Sequence, residues 1–140
     1  MPPTSPLIAI VDDNEDNLYI TARGARDAGI PRDRCHTYTS GDELLSAIQQ
    51  QDAQCYTLIL LDILMPRKDG FAILQELRRL PRCQTIRVVA MTANIMESDR
   101  HRYQAAGFDG LIGKPTDPDD LPHQILAALH GKELGWPNPQ

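Results

Sequence analysis

The chain has 140 residues, 41% hydrophobic and 24% charged, which suits one globular domain with a real core. Its formal net charge of -5, with no Lys/Arg block, gives no general attraction to nucleic acid or to an anionic membrane. Cys35, Cys55 and Cys83 are far apart and form no C-x-x-C pair. This excludes the usual disulfide-framework and zinc patterns, and a reduced, cytoplasmic setting is expected.

Residues 1–6 are proline-rich and read as a flexible N-terminus. They lack the basic and apolar regions of a signal peptide, and no apolar run is long enough to cross a bilayer. Leu7 to Val11 is an apolar run that reads as the first strand, and it stops at Asp12-Asp13. A helix is expected from Glu15 to Ala28. Asn14 or Asp13 could cap it, and Gly29 suits its end. Cys35 to Thr39 reads as a second, more polar strand, fit for a sheet edge. A helix to Gln50 opens at Ser40, which has capping-box spacing to Glu43. A polar link then leads to a third strand at 57–62.

That third strand is the centre of the pattern. Leu58, Ile59, Leu60 and Leu61 are continuously apolar, as in a strand buried on both faces. It ends at Asp62, and Met65-Pro66 and Asp69-Gly70 read as loop and turn. Phe71, Ile73, Leu74 and Leu77 predict a helix over 70–80, closed by Pro81. Strand four is expected at 86–91, ending at Thr92, and Asn94 could cap the helix over 96–106 before Gly107. A short strand at 111–113 ends at Lys114-Pro115. The last helix is expected from Asp119 or Asp120 to His130, with Pro122 at its third position. Residues 7–130 thus read as one domain and 131–140 as a C-terminal tail.

Strands alternating with helices imply a parallel sheet with right-handed crossovers and helices on both faces. All carboxyl ends then share one edge, the usual ligand-binding edge of such sheets. Asp12-Asp13, Asp62, Thr92 and Lys114 all fall there. Three carboxylates together call for a cation, and hard oxygen ligands suit Mg²⁺ (or Mn²⁺). An amine and a hydroxyl opposite could hold the remaining oxygens of a phosphoryl group, and a carboxylate can itself be the nucleophile. Singly, each has a plainer use: Asp12-Asp13 as helix caps, Thr92 as a strand residue, Lys114 as a surface charge. The joint placement is the signal.

With V-D-D-N at 11–14, L-D-I-L-M-P-R-K-D-G at 61–70, M-T-A-N at 91–94 and G-K-P at 113–115, the chain resembles the receiver domain of two-component response regulators, of the single-domain chemotaxis-regulator type. The likeness covers about 7–130. It implies a flavodoxin-like, doubly wound (βα)5 fold with a five-stranded parallel sheet of order 2-1-3-4-5. It also implies that Asp62 is the phosphoacceptor, taking a phosphoryl group from a phosphohistidine of a histidine kinase or histidine phosphotransfer protein. Asp13, Asp62 and the backbone carbonyl of Leu64 would hold the metal ion, with Asp12 helping. Thr92 and Lys114 would bind phosphoryl oxygens, and Lys114-Pro115 would be a cis peptide. The resemblance implies a switch with output through protein contacts, as a monomer or weak dimer. No role on nucleic acid or membrane is expected.

Leu111 departs from the family, which often has Tyr or Phe there as the aromatic half of the switch. Leu64 offers no polar group to orient a hydrolytic water, so a long-lived phosphoryl group is expected. Leu64, Asn94 and Leu111 are therefore the positions expected to tune the switch. Residues 93–113 are the expected partner face, with Ile95, Met96, His101 and Tyr103 as candidate exposed side chains, of which at least two are expected to be ordinary helix surface or core. The alternatives are a receiver module of a hybrid histidine kinase, a structural pseudo-receiver, and a phosphatase with an Asp nucleophile. The last would want an acid where Leu64 stands.

Overall fold

The computed structural model describes residues 6–50, 56–132 and 134–136. Most of the proline-rich start (1–5), the link at 51–55 with Cys55, and tail residues 133 and 137–140 lie outside the described residues. The elements alternate as β1 (Ile8–Val11), α1 (Glu15–Asp27), β2 (Cys35–Tyr38), α2 (Gly41–Gln50), β3 (Leu58–Asp62) and α3 (Gly70–Arg79). They continue as β4 (Arg87–Thr92), α4 (Glu97–Ala106), β5 (Gly110–Gly113) and α5 (Leu121–Leu129). Short 3₁₀ turns at Arg32–Arg34 and Pro81–Cys83 precede β2 and β4. All strand pairs are parallel, and the order is β2-β1-β3-β4-β5.

The period-two geometry of a strand sorts its residues between two cores. On one face Ile8, Ile10, Leu58, Leu60, Val89, Met91 and Ile112 pack with Leu18 and Ala25 of α1 and Ile125 of α5. On the other, Ala9, Val11, Ile59, Leu61, Val88, Ala90 and Leu111 meet α2, α3 and Tyr103 of α4. This double burial is why β3 is apolar without alternation. β2, at the sheet edge, is only partly buried.

Local chemistry sets the helix ends. The Asn14 side chain accepts from the Asn17 N–H and caps α1, and Asp69 accepts from Ala72 N–H at the start of α3. At α2, Ser40 Oγ accepts the Glu43 N–H at 3.2 Å, while Thr39 donates to the Glu43 carboxylate. Gly29 and Gly107 adopt the left-handed conformation after α1 and α4. Two expectations are corrected. Asn94 does not cap α4; Met96 stands at that position, without a side-chain cap bond. α5 begins at Leu121, so Pro122 is its second residue. The Asp119 N–H donates to Asp117 Oδ1 and the Asp120 and Leu121 N–H groups donate to Asp117 O, so a turn at 117–120 leads into α5.

Candidate functional site

The carboxyl ends of β1, β3, β4 and β5 place the polar residues together. Asp12 follows β1, where its N–H donates to Tyr38 O at 3.1 Å and its Oδ1 accepts the Asn14 N–H at 2.9 Å. Asp62 ends β3, and Lys114 follows β5, its N–H donating to Thr92 O at 2.9 Å. The Lys114–Pro115 peptide is cis. Lys114 Nζ lies 2.8 Å from Asp12 Oδ2 and 3.2 Å from Asp62 Oδ1. Asp12 and Asp62 are buried and Asp13 is exposed. Asp12, Asp13 and Asp62 can each present one oxygen such that all three lie within 4.8 Å of one another.

These groups set each other's charge. Burial pushes the Asp62 carboxyl up to about 6, and the Asp12 carboxylate adds to that. Lys114 and the Leu64 N–H work the other way. For Lys114, burial disfavours the ammonium, but its hydrogen bond to Asp12 and the Asp62 charge hold it above the usual lysine range. One ammonium against three carboxylates leaves an excess of negative charge around buried oxygen ligands. That donor set fits a hard divalent cation.

Thr92, the last residue of β4, is buried. Its Oγ1 accepts the Asn94 N–H at 3.1 Å. The Tyr103 hydroxyl lies 3.2 Å from Asn94 O and 3.5 Å from Thr92 Oγ1. Tyr103 is fully buried against Phe71 and Phe108, so of the four candidates for the partner face it is a core residue. The signal was there in α4 itself. In E-S-D-R-H-R-Y-Q-A-A the aromatic is the natural inward anchor, and it is the helix's buried residue. Ile95 and Met96 are exposed, at 42% and 72%, and His101 is exposed. Leu64 is exposed and Leu111 is buried.

The family model for the response regulator receiver domain matches residues 8–126. The chain belongs to that family. Among relatives, it is 33% identical over 114 residues to hybrid signal transduction histidine kinase L of Dictyostelium discoideum, covering 77% of this chain and 6% of that one. It is 44% identical over 64 residues to response regulator Rre1 of Synechocystis, covering 46% and 28%. The chain thus spans a small part of the length of both. The receiver domain of sensor histidine kinase PA1611 from Pseudomonas aeruginosa, solved with a magnesium ion in its active-site cleft, superposes with a TM-score of 0.74. It is 26% identical, with 92% of this chain and 100% of that one covered. Chemotaxis regulator CheY4 of Vibrio cholerae gives 0.78 at 22% identity, over 89% and 99%, and supports the fold.

Receiver domains are switches of phosphorylation-dependent two-component signalling rather than ordinary enzymes, and they work with histidine kinases or phosphotransfer proteins. In this receiver the acidic cluster fits a divalent metal. Among the described residues no helix is long and apolar enough to cross a membrane.

Proposed function

We propose that Asp62 is the phosphoacceptor of this receiver and that Mg²⁺ is its working metal. The observation carrying this is the bridge of Lys114 Nζ between Asp12 and Asp62, with Asp13 beside them at the carboxyl edge of the sheet. A carboxylate oxygen of Asp62 attacks the phosphorus of a phosphohistidine, the P–N bond breaks, and the imidazole leaves with the electron pair. Asp12, Asp13, Asp62 and the carbonyl of Leu64 would hold the ion. When bound, it offsets the negative charge of the phosphoryl oxygens.

Lys114 keeps the buried Asp62 ionised and then pairs with a phosphoryl oxygen. Thr92 has a hydroxyl proton to give to another. A hydroxyl carries one donor and two acceptor sites, and the Asn94 N–H already occupies one of the acceptors. The new phosphate brings nearly two negative charges, which draws both side chains in.

The aromatic missing at Leu111 is replaced by Tyr103. Its single hydroxyl proton serves two oxygens, Asn94 O and Thr92 Oγ1. Movement of Thr92 therefore reaches the β4–α4 loop through Tyr103. Ile95, Met96 and His101 on that loop and helix form the face offered to a downstream protein. The chemistry at Asp62 is the same whether the receiver acts alone or within a hybrid kinase.

Incubation with a small phosphodonor and Mg²⁺ is expected to add one phosphoryl group to the wild type and none to Asp62→Asn. Intact-mass measurement reads this. Equal labelling of the variant overturns the assignment. Turnover of a phosphate ester with release of phosphate would favour the phosphatase reading instead.

A further inference from the structure

We propose that the outer edge of β5, together with α4, is a peptide-binding surface whose ligand is this chain's own segment Leu134–Gly135–Trp136, docked reversibly. β5 ends the sheet, so its outward backbone groups need a partner. The Leu111 N–H finds one in Leu134 O, at 2.8 Å. Gly131, with positive φ, turns the chain back after α5 and delivers the segment to that edge.

The fit depends on small residues on both sides. A Cβ on Gly110 would stand 3.2 Å from Leu134 O. A Cβ on Gly135 would stand 2.4 Å from Leu111 O and 2.9 Å from Leu111 Cβ, and Gly135 has φ +78°. Both the conformation and the close approach therefore require glycine there. The Arg100 guanidinium donates to Gly135 O at 2.5 Å and to Ile95 O at 2.7 Å, tying the segment to α4. Leu134 packs on the α1/α5 side of the sheet and Trp136 on the opposite side. The segment straddles the edge strand.

The attachment is small: one backbone bond, one guanidinium bond and two half-buried side chains. Docking is therefore an equilibrium of its own, separate from global unfolding. A partner segment displaces the resident one if it offers a carbonyl to Leu111, a left-handed glycine against Leu111 and an aromatic after it. The carbonyl contact uses the open backbone edge of β5, as edge-binding peptides do. It does not depend on phosphoryl transfer at Asp62.

Trp136 is the chain's sole tryptophan and reports the docked state. The full chain is expected to give blue-shifted, poorly quenched emission and a protected Leu111 amide. Gly135→Val is expected to give the emission of an exposed tryptophan, with Leu111 exchange at least tenfold faster, and an unchanged far-UV spectrum. Arg100→Ala, which leaves Gly135 intact, should shift both readouts part of the way. In amide NMR spectra, a synthetic peptide of residues 132–139 at millimolar concentration should move Leu111 in Gly135→Val far more than in the wild type. The proposal is overturned if wild-type Trp136 is quenched as freely as the peptide, or if Gly135→Val changes neither readout. Absence of peptide shifts in Gly135→Val overturns it too, as does protection that appears only at concentrations where the chain dimerises.

Discussion

Asp62 carries a charge that its surroundings resist. Burial, and then the neighbouring Asp12 carboxylate, lift its pKa from 3.8 to about 6 in the folded chain. A raised pKa means that the folded state binds the proton more tightly than the unfolded state does. The resulting stability is full below pH 3.8 and is lost as pH rises through about 6. Without metal, Asp62→Asn is therefore expected to be the more stable protein at pH 8, by on the order of 2–3 kcal/mol. Its advantage should shrink at pH 5. Urea unfolding at the two pH values measures it, and an advantage independent of pH refutes the linkage. Mg²⁺ is expected to stabilise the wild type more than the variant, because the proposed site draws on carboxylates brought together only in the folded chain. Leu64 is expected to bear on the lifetime of the phosphoryl group rather than on stability. It is 62% exposed two residues past Asp62, with nothing to orient a water. Leu64→Asn is expected to lose its phosphoryl group severalfold faster than the wild type. A rate equal to or slower than wild type counts against this.

The packing of elements rests on a few tight positions. Gly24 lies inside α1, where alanine would add about 1 kcal/mol of helix propensity. A Cβ there would stand 2.6 Å from Leu121 Cδ2, in the seam between α1 and α5. Overpacking of this kind costs roughly 1–3 kcal/mol. Gly24→Ala is expected to lower the thermal midpoint despite its better propensity, and a rise would show that Leu121 can move aside freely. The sequence made the elements legible where one rule dominated. β3 reads as a strand because both of its faces are buried, and Asn14 and Gly29 mark the ends of α1 because caps are local chemistry. The order 2-1-3-4-5 came from the family resemblance, since spacing alone does not fix which strand lies beside which. α4 was the least legible helix. Its surface is polar almost all round, so periodicity did not reveal that Tyr103 points inward and reaches Thr92. Leu134–Trp136 gave no periodic signal at all. Its role comes from meeting β5, which is distant in sequence.

At the scale of the molecule, one face of α4 connects the Thr92 site with the tail. Tyr103 and Arg100 are three residues apart on α4, hence on neighbouring positions of one face. Tyr103 touches the Thr92 site, and Arg100 grips Gly135. α4 is anchored in the core by a single buried side chain, so a shift of the helix costs little packing. Moving the tail segment from tenfold docked to tenfold released requires about 2.7 kcal/mol. The two hydrogen bonds from Leu111 and Arg100 are together worth roughly 2–3 kcal/mol, so loosening them is enough. Beryllofluoride with Mg²⁺ is therefore expected to raise the quenching of Trp136 in the wild type and to leave Asp62→Asn unchanged. Tyr103→Phe keeps the ring in the core but removes the hydroxyl. It should still accept a phosphoryl group at Asp62 while the Trp136 response falls well below wild type. A full response in that variant would mean that Tyr103 only fills space, and that the path from Asp62 to the tail runs through β5 directly.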